Sequence, residues 1–167
     1  MKNQEQLSAY TLSKQVIHLG KTRGITVAGA ESCTGGLIAK LLTDVPGSSS
    51  VFCGACVTYT NEVKMKLLGV PQSVIEQYTE VSHACAEAMA EGARSTLQTD
   101  VAYSTTGYAG PGGGTEADPV GTVYVGIATR EGVQSYRLSL PTDSTRRQIR
   151  QAAAIFVLQK ILEAAKA

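Results

Sequence analysis

A repeated switch between short β-branched runs and stretches of helical period is what most restricts the folds open to this chain. Leu7, Leu12, Val16, Ile17 and Leu19 recur at roughly helical spacing over residues 4–22, and Gly24 ends the run. Residues 25–30 are a short apolar run, followed by Glu31-Ser32-Cys33-Thr34-Gly35-Gly36 and an apolar stretch at 37–42, which reads as strand, tight turn and helix. Residues 46–50 are a loop by composition and 51–60 read as a second strand. A helix then begins near Asn61, which can serve as its N-cap, and closes at Leu68-Gly69, while Pro71 opens a short helix at its first position. Residues 82–97 form an alanine-rich helix capped by Ser82, 101–106 a third strand, and 107–119 a glycine-rich loop. A β-hairpin is expected at 120–129 and 133–140 around Glu131-Gly132, and a last helix at 144–165.

Strands alternating with helices, with one late hairpin, predict an α/β fold, a three-layer α/β/α sandwich on a mixed sheet. The length suits a single domain over residues 1–167. Ligands in such folds gather at the carboxyl ends of strands, where both the Ser32 turn and the Gly107 loop leave the sheet. Two remote segments are therefore expected to build one site.

Charge argues against a polymer partner. Charged residues are 17% of the chain and the formal net charge is +1, without the basic excess that draws a protein onto nucleic acid. No apolar run approaches the roughly 20 residues of a membrane span, and the first residues lack a signal peptide's apolar core. A cytoplasmic location is expected, with Cys33, Cys53, Cys56 and Cys85 reduced.

Ser32 lies between a strand and a helix, where a side chain can be held at a sharp turn while helix amides face a developing oxyanion. The competing reading is that Ser32 or Thr34 caps the helix. A serine nucleophile needs a base, and the chain's two histidines, His18 and His83, have no acidic partner at a telling spacing. Lys64 is the substitute, in the first turn of the helix near Asn61. A helix dipole disfavours a cation there by only about 0.3–1 kcal/mol, whereas lowering a lysine from about 10.4 to about 7.5 takes roughly 4 kcal/mol. Burial must supply the rest, so Lys64 is expected to be largely buried. Otherwise it is a solvated helix lysine like Lys66. Tyr59 can bond Ser32 or relay its proton, or simply pack on the sheet.

Gly107-Tyr108-Ala109-Gly110-Pro111-Gly112-Gly113-Gly114 matches neither the dinucleotide nor the phosphate-loop spacing. Its backbone amides can still wrap a ribose, a phosphate or a carboxamide. Thr34, Gly35, Gly36, Asn61, Thr106, Gly107, Ala109, Gly110 and Gly112 are the candidate binding positions around it and the Ser32 turn. Arg146, Arg147 and Arg150 open the last helix, where cations are misplaced unless they meet a phosphate, and Arg146 and Arg150 share a face. Cys53 and Cys56 are spaced like a redox pair, but within a strand that offset puts them on opposite faces, and zinc would need further ligands. Cys33 is a possible thiol nucleophile without a histidine partner. No metal and no cofactor are expected.

Ala30-Glu31-Ser32-Cys33-Thr34-Gly35-Gly36, Val57-Thr58-Tyr59-Thr60-Asn61-Glu62-Val63-Lys64 and the Gly107 to Gly114 loop resemble, in that order, the C-terminal domain family of CinA. Asp44-Val45-Pro46-Gly47-Ser48-Ser49 between them adds to the likeness. Members of that family include the nicotinamide-nucleotide amidases, which convert nicotinamide mononucleotide to nicotinic acid mononucleotide and ammonia. The resemblance implies a metal-free serine amidohydrolase with Ser32 as nucleophile, Lys64 as base, Tyr59 as hydroxyl partner, and the Gly107 loop binding the nucleotide. It also implies the stand-alone form of the domain and a homodimer, the commonest assembly. Two positions depart from the pattern: Ser144-Thr145-Arg146 replaces the usual Gly-Asp-Arg, and Ala55 replaces a glycine. The competing functions are a non-catalytic nucleotide- or partner-binding module linked to competence or DNA damage, and a thiol redox protein.

Overall fold

The computed structural model describes residues 2–167, with side chains described from residue 8 onward. Its centre is a five-stranded mixed sheet in the order β2-β1-β3-β4-β5. The strands are β1 (Val27–Glu31), β2 (Phe52–Val57), β3 (Val101–Gly107), β4 (Thr122–Thr129) and β5 (Gly132–Ser139). β1 runs parallel to both β2 and β3, while β4 and β5 add antiparallel as the expected late hairpin.

Alternation along the strands assigns the helices to opposite faces. Val27, Val101, Tyr103, Val123 and Val125 pack with α1 (Lys2–Arg23), α2 (Leu37–Thr43) and α6 (Arg146–Lys166) in one aliphatic core. Ala28, Ala30 and Ala102 face the other way, onto Cys85, Met89 and Ala93 of α5 (His83–Leu97) and Leu68 of α3 (Asn61–Leu68). The second face is built for close approach: a Cβ on Gly126 would lie 2.3 Å from the Ala86 carbonyl oxygen. α4 (Gln72–Tyr78) completes that layer beside α5. The α/β/α sandwich is thus present. Leu7, part of the expected first-helix stripe, lies outside the residues whose side chains are described.

Several boundaries differ from the sequence reading. β2 ends at Val57 rather than at residue 60, because the chain leaves the sheet to turn the Thr58 and Tyr59 carbonyls toward Lys64. Thr60, not Asn61, caps α3, its hydroxyl accepting from the Val63 amide. Pro71 is the cap of α4 rather than its first residue, since its ψ of 135° is extended. α6 starts at Arg146, where Thr145 and Gln148 form a reciprocal capping box. Cys53 is the extra residue of an irregularity in the β1–β2 pairing, where Val27 pairs with Phe52 and Ala28 with Gly54. It is exposed, while Cys56 packs toward the α3–α5 layer, and both thiols are free. Among the described residues no helix is long and apolar enough to cross a membrane.

Candidate active site

Three parallel strands end at one edge of the sheet, and their exits carry the candidate residues together. Thr58 N donates to the Glu31 carbonyl (2.9 Å) and Ser32 N to the Thr105 carbonyl (3.0 Å), so the turns after β2, β1 and β3 stay in register. Ser32 is 8% exposed and Lys64 1%. The lysine Nζ lies 3.1 Å from Ser32 Oγ and donates to the carbonyls of Thr58 (2.9 Å) and Tyr59 (3.4 Å). The expected burial of Lys64 is therefore observed, and burial holds its pKa below the ordinary lysine value, against smaller opposing effects of Cys85, Glu80 and Cys33. Among the described residues no carboxylate bonds the ammonium, which would restore its charge.

The amides at the start of α2 are not free for an oxyanion. Glu31, fully buried, inserts its carboxylate there and accepts from the amides of Gly36 (2.9 Å), Ile38 (3.2 Å) and Ala39 (2.8 Å). Thr34 Oγ1 (2.7 Å) and Tyr103 OH (3.0 Å) donate to it as well. Burial first, and the Glu31 charge second, hold the Tyr103 phenol well above its ordinary pKa. The Gly35 amide is also taken, by the Ser32 carbonyl (3.1 Å). Glu31 was missed from sequence, although an acidic residue at the last strand position of a strand-turn-helix is a natural occupant of a helix N-terminus. Strand parity pointed the same way, since Val27, Gly29 and Glu31 share the face toward α2.

Tyr59 is not brought to Ser32. Its side chain stands at the mouth of the site, 59% exposed, and its hydroxyl accepts from Arg146 Nη2 (2.9 Å). Arg146 Nη1 donates to the Gly110 carbonyl (2.7 Å), so one guanidinium ties the glycine loop to the rim. Ser32, Cys33, Tyr59, Asn61, Lys64, Thr106, Gly107, Ala109 and Arg146 line one cleft of about 340 Å³, together with Thr60, Glu80, Val81 and Tyr108. That volume is within the range of roughly 300–1,000 Å³ typical of small-molecule sites. Grooves of about 570 and 640 Å³ elsewhere hold no such pairing of hydroxyl and buried amine. Cys33 is no rival nucleophile, because burial pushes its thiol up to about 12.

The CinA C-terminal domain model matches residues 9–165. The chain belongs to that family. It is 46% identical over 156 residues to a CinA-like protein of Geobacter sulfurreducens, covering 92% of this chain and 38% of that one. Against a CinA-like protein of Synechocystis the identity is 54% over 128 residues, 77% of this chain and 31% of the relative. The chain thus spans about a third of the length of the curated relatives it matches. Among solved structures, the competence/damage inducible protein CihA of Agrobacterium tumefaciens superposes with a TM-score of 0.91 at 37% identity, covering 96% of each chain. A CinA superfamily protein of Klebsiella pneumoniae gives 0.89 at 27%, covering 95% of this chain and 98% of that one.

The remaining candidate positions of this CinA domain sort by distance from the cleft. Arg150 turns beneath the Ser32 turn, where Nη2 donates to the Thr34 carbonyl (2.7 Å). Thr34 is fully buried and also bonds Thr105 (2.7 Å), so both residues support the turn from below. Gly35, Gly36, Gly110 and Gly112 do not line the cleft. Gly35 and Gly36 instead take the positive φ values, 58° and 91°, that the tight turn requires. Thr145, standing where the family usually has Asp, still caps α6 through its side chain, so this departure preserves the cap. Glu80 and Tyr108 were not anticipated. Glu80 lies in the connection between α4 and α5, where periodicity gives no signal. Among the described residues no three His, Cys, Asp or Glu side chains cluster as a metal site would need.

Proposed function

We propose that this chain is a serine amidohydrolase that deamidates nicotinamide mononucleotide to nicotinic acid mononucleotide and ammonia. The observation that carries the reading is the environment of Lys64 Nζ. A neutral amine has two N–H groups and one lone pair. With the Thr58 and Tyr59 carbonyls accepting the N–H groups, the lone pair is left for Ser32 Oγ at 3.1 Å. A buried amine with lowered proton affinity, aimed at a serine hydroxyl, is the equipment of a general base and its nucleophile.

In the first step Lys64 takes the hydroxyl proton as Oγ bonds to the carboxamide carbon, giving a tetrahedral oxyanion. The α2 amides being occupied by Glu31, the donors for that oxyanion must come from another part of the cleft wall. Collapse breaks the C–N bond, the lysine proton goes to the departing nitrogen, and ammonia leaves an acyl ester on Ser32. Water, losing its proton to Lys64, then attacks the ester; the C–Oγ bond breaks, Ser32 recovers a proton and the carboxylate product is freed. Arg146 at the mouth, beside the N-terminus of α6, supplies positive charge for the nucleotide phosphate. The proton reaches Lys64 directly, so Tyr59 is assigned to the rim and not to a relay.

Ammonia release from nicotinamide mononucleotide is the test, with Ser32→Ala and the riboside as controls. Release by the wild type alone, and none from the riboside, is the expected result. Release by Ser32→Ala would overturn the scheme, and saturable nucleotide binding without release would favour a non-catalytic binding module.

A further inference from the structure

Glu80 is the one acidic residue among the described residues lining the cleft. Its carboxylate enters no hydrogen bond or ion pair among the described residues, yet its backbone is fixed from several sides. Thr106 Oγ1 donates to the Glu80 carbonyl (2.6 Å) and Ser82 Oγ to that of Thr79 (3.0 Å). The Thr79 amide donates to Ile75 (3.0 Å), and Thr79 Oγ1 to the Val81 carbonyl (3.3 Å). Thr79 itself sits at φ 68° and ψ 169°, a region almost reserved for glycine and costly for a β-branched side chain. Strained backbone held by surrounding bonds is what places Glu80 in the cleft.

An anion there opposes the base it faces, because a negative charge beside Lys64 favours the protonated amine. The other groups around Lys64 do not explain it. Cys33 and Cys85 are buried thiols pushed up to about 12 and about 11, neutral at ordinary pH. Burial, and then Glu80 itself, raises the Tyr108 phenol, and Arg146 is occupied at the rim with Tyr59 and Gly110. A carboxylate that handicaps the free base while its backbone is held in strain implies a gain once the cleft is filled. We propose that the Glu80 carboxylate is the counter-charge for a cationic ring, the feature by which this cleft selects a quaternised pyridine carboxamide over a neutral one. The proposal rests on the deamidase reading for its substrate. Its consequence is that the ring's positive charge cancels the Glu80 field at Lys64, so substrate binding itself releases the lysine proton.

Binding is measured in the Ser32→Ala background, where the nucleotide is not turned over, using nicotinamide mononucleotide and its neutral dihydro form. The expected preference for the cation is on the order of tenfold, falling to about threefold or less in Glu80→Gln and recovering in Glu80→Asp. With Ser32 intact, Glu80→Gln should move the acid limb of kcat/KM to lower pH, because loss of the anion lowers the proton affinity of Lys64 in the free enzyme. The acid limb of kcat, already set with the cation bound, should move less. An unchanged preference in Glu80→Gln would overturn the proposal, as would acid limbs that both stay in place. Absence of ammonia release by the wild type would instead refute the deamidase reading, and the binding ratio would still decide the role of Glu80.

Discussion

Two ionisable side chains flank Ser32, and both are removed from water: Glu31 is 0% exposed and Lys64 1%. Their surroundings are opposite. Glu31 receives three backbone amides from the start of α2, where the dipole favours an anion, plus the hydroxyls of Thr34 and Tyr103. Lys64 sits in the first turn of α3, where the dipole disfavours a cation, and bonds only neutral oxygens of Ser32, Thr58 and Tyr59. Burial is therefore common to both and cannot be what makes one reactive. The difference lies in whether the protein supports the charged form. Glu31 is supported and holds the backbone of the nucleophile's turn, while Lys64 is under-supported and can exist as a neutral amine beside the hydroxyl.

Substitution of each residue in turn puts this contrast at greatest risk. Lys64→Met should lower kcat/KM for ammonia release on the order of 10³-fold or more, the scale of losing the base of a serine nucleophile. It should be no less stable in urea than the wild type by more than about 1 kcal/mol, and more stable at neutral pH, since an apolar chain of similar length replaces a poorly supported buried amine. Failure of the variant to fold would make Lys64 structural and remove the contrast. Glu31→Ala should behave in reverse, orphaning the Gly36, Ile38 and Ala39 amides and the Tyr103 hydroxyl at a cost of about 3 kcal/mol or more. A urea midpoint close to the wild type would show that water or a side-chain shift replaces the carboxylate.

The architecture was legible because it rests on local signals, whereas the Ser32–Lys64 pairing, between residues 32 apart, was named through the family resemblance, with a helix cap and a solvated lysine as the competing readings of the residues themselves. The strand-turn-helix around Ser32 follows from a β-branched run and paired glycines, and the parallel register then fixes where the next turn must lie. Burial of Lys64 followed from an energy requirement, since no helix terminus alone can neutralise a lysine. Glu31 was partly legible: the sequence reading left the α2 amides for an oxyanion, although strand parity points the residue before Ser32 at those amides. Glu80 was not legible. It lies in an irregular connection, and part of what holds it at the cleft is a hydrogen bond to its carbonyl from Thr106, 26 positions away in sequence. The direction of Tyr59 was equally hidden, because a phenol at a strand exit can turn inward to Ser32 or outward to an arginine 87 residues later.

The burial of Lys64 also gives the fold a response to pH. Lys64 is held below its unfolded value of about 10.4 by burial, so between the two values the unfolded chain carries the extra proton. Stability then rises with pH across that window, and at pH below the folded value the full penalty is present. The stability of Lys64→Met relative to wild type should accordingly grow as pH falls from about 10.4, by about 1.36 kcal/mol for each unit of lowering. Urea midpoints of both proteins across the window measure it. A difference that stays constant with pH would mean that Lys64 keeps an ordinary lysine's proton affinity.

The smallest effect is expected at Tyr59, and it separates the inner pair from the rim. The phenol oxygen bonds Arg146 and not Ser32, so Tyr59→Phe removes one hydrogen bond at an exposed site and leaves the Lys64–Ser32 contact in place. A single such bond is worth about 0.5–1.5 kcal/mol, or roughly a two- to tenfold change. That loss should fall on KM, through a less firmly held Arg146, with kcat nearly unchanged, because proton transfer from Ser32 does not pass through the ring. Steady-state kinetics on the variant distinguishes the two pathways. If turnover instead fell by about a hundredfold or more, the scale of losing a general acid–base group, the phenol would have to swing inward during the reaction, and Lys64 would not act on Ser32 alone.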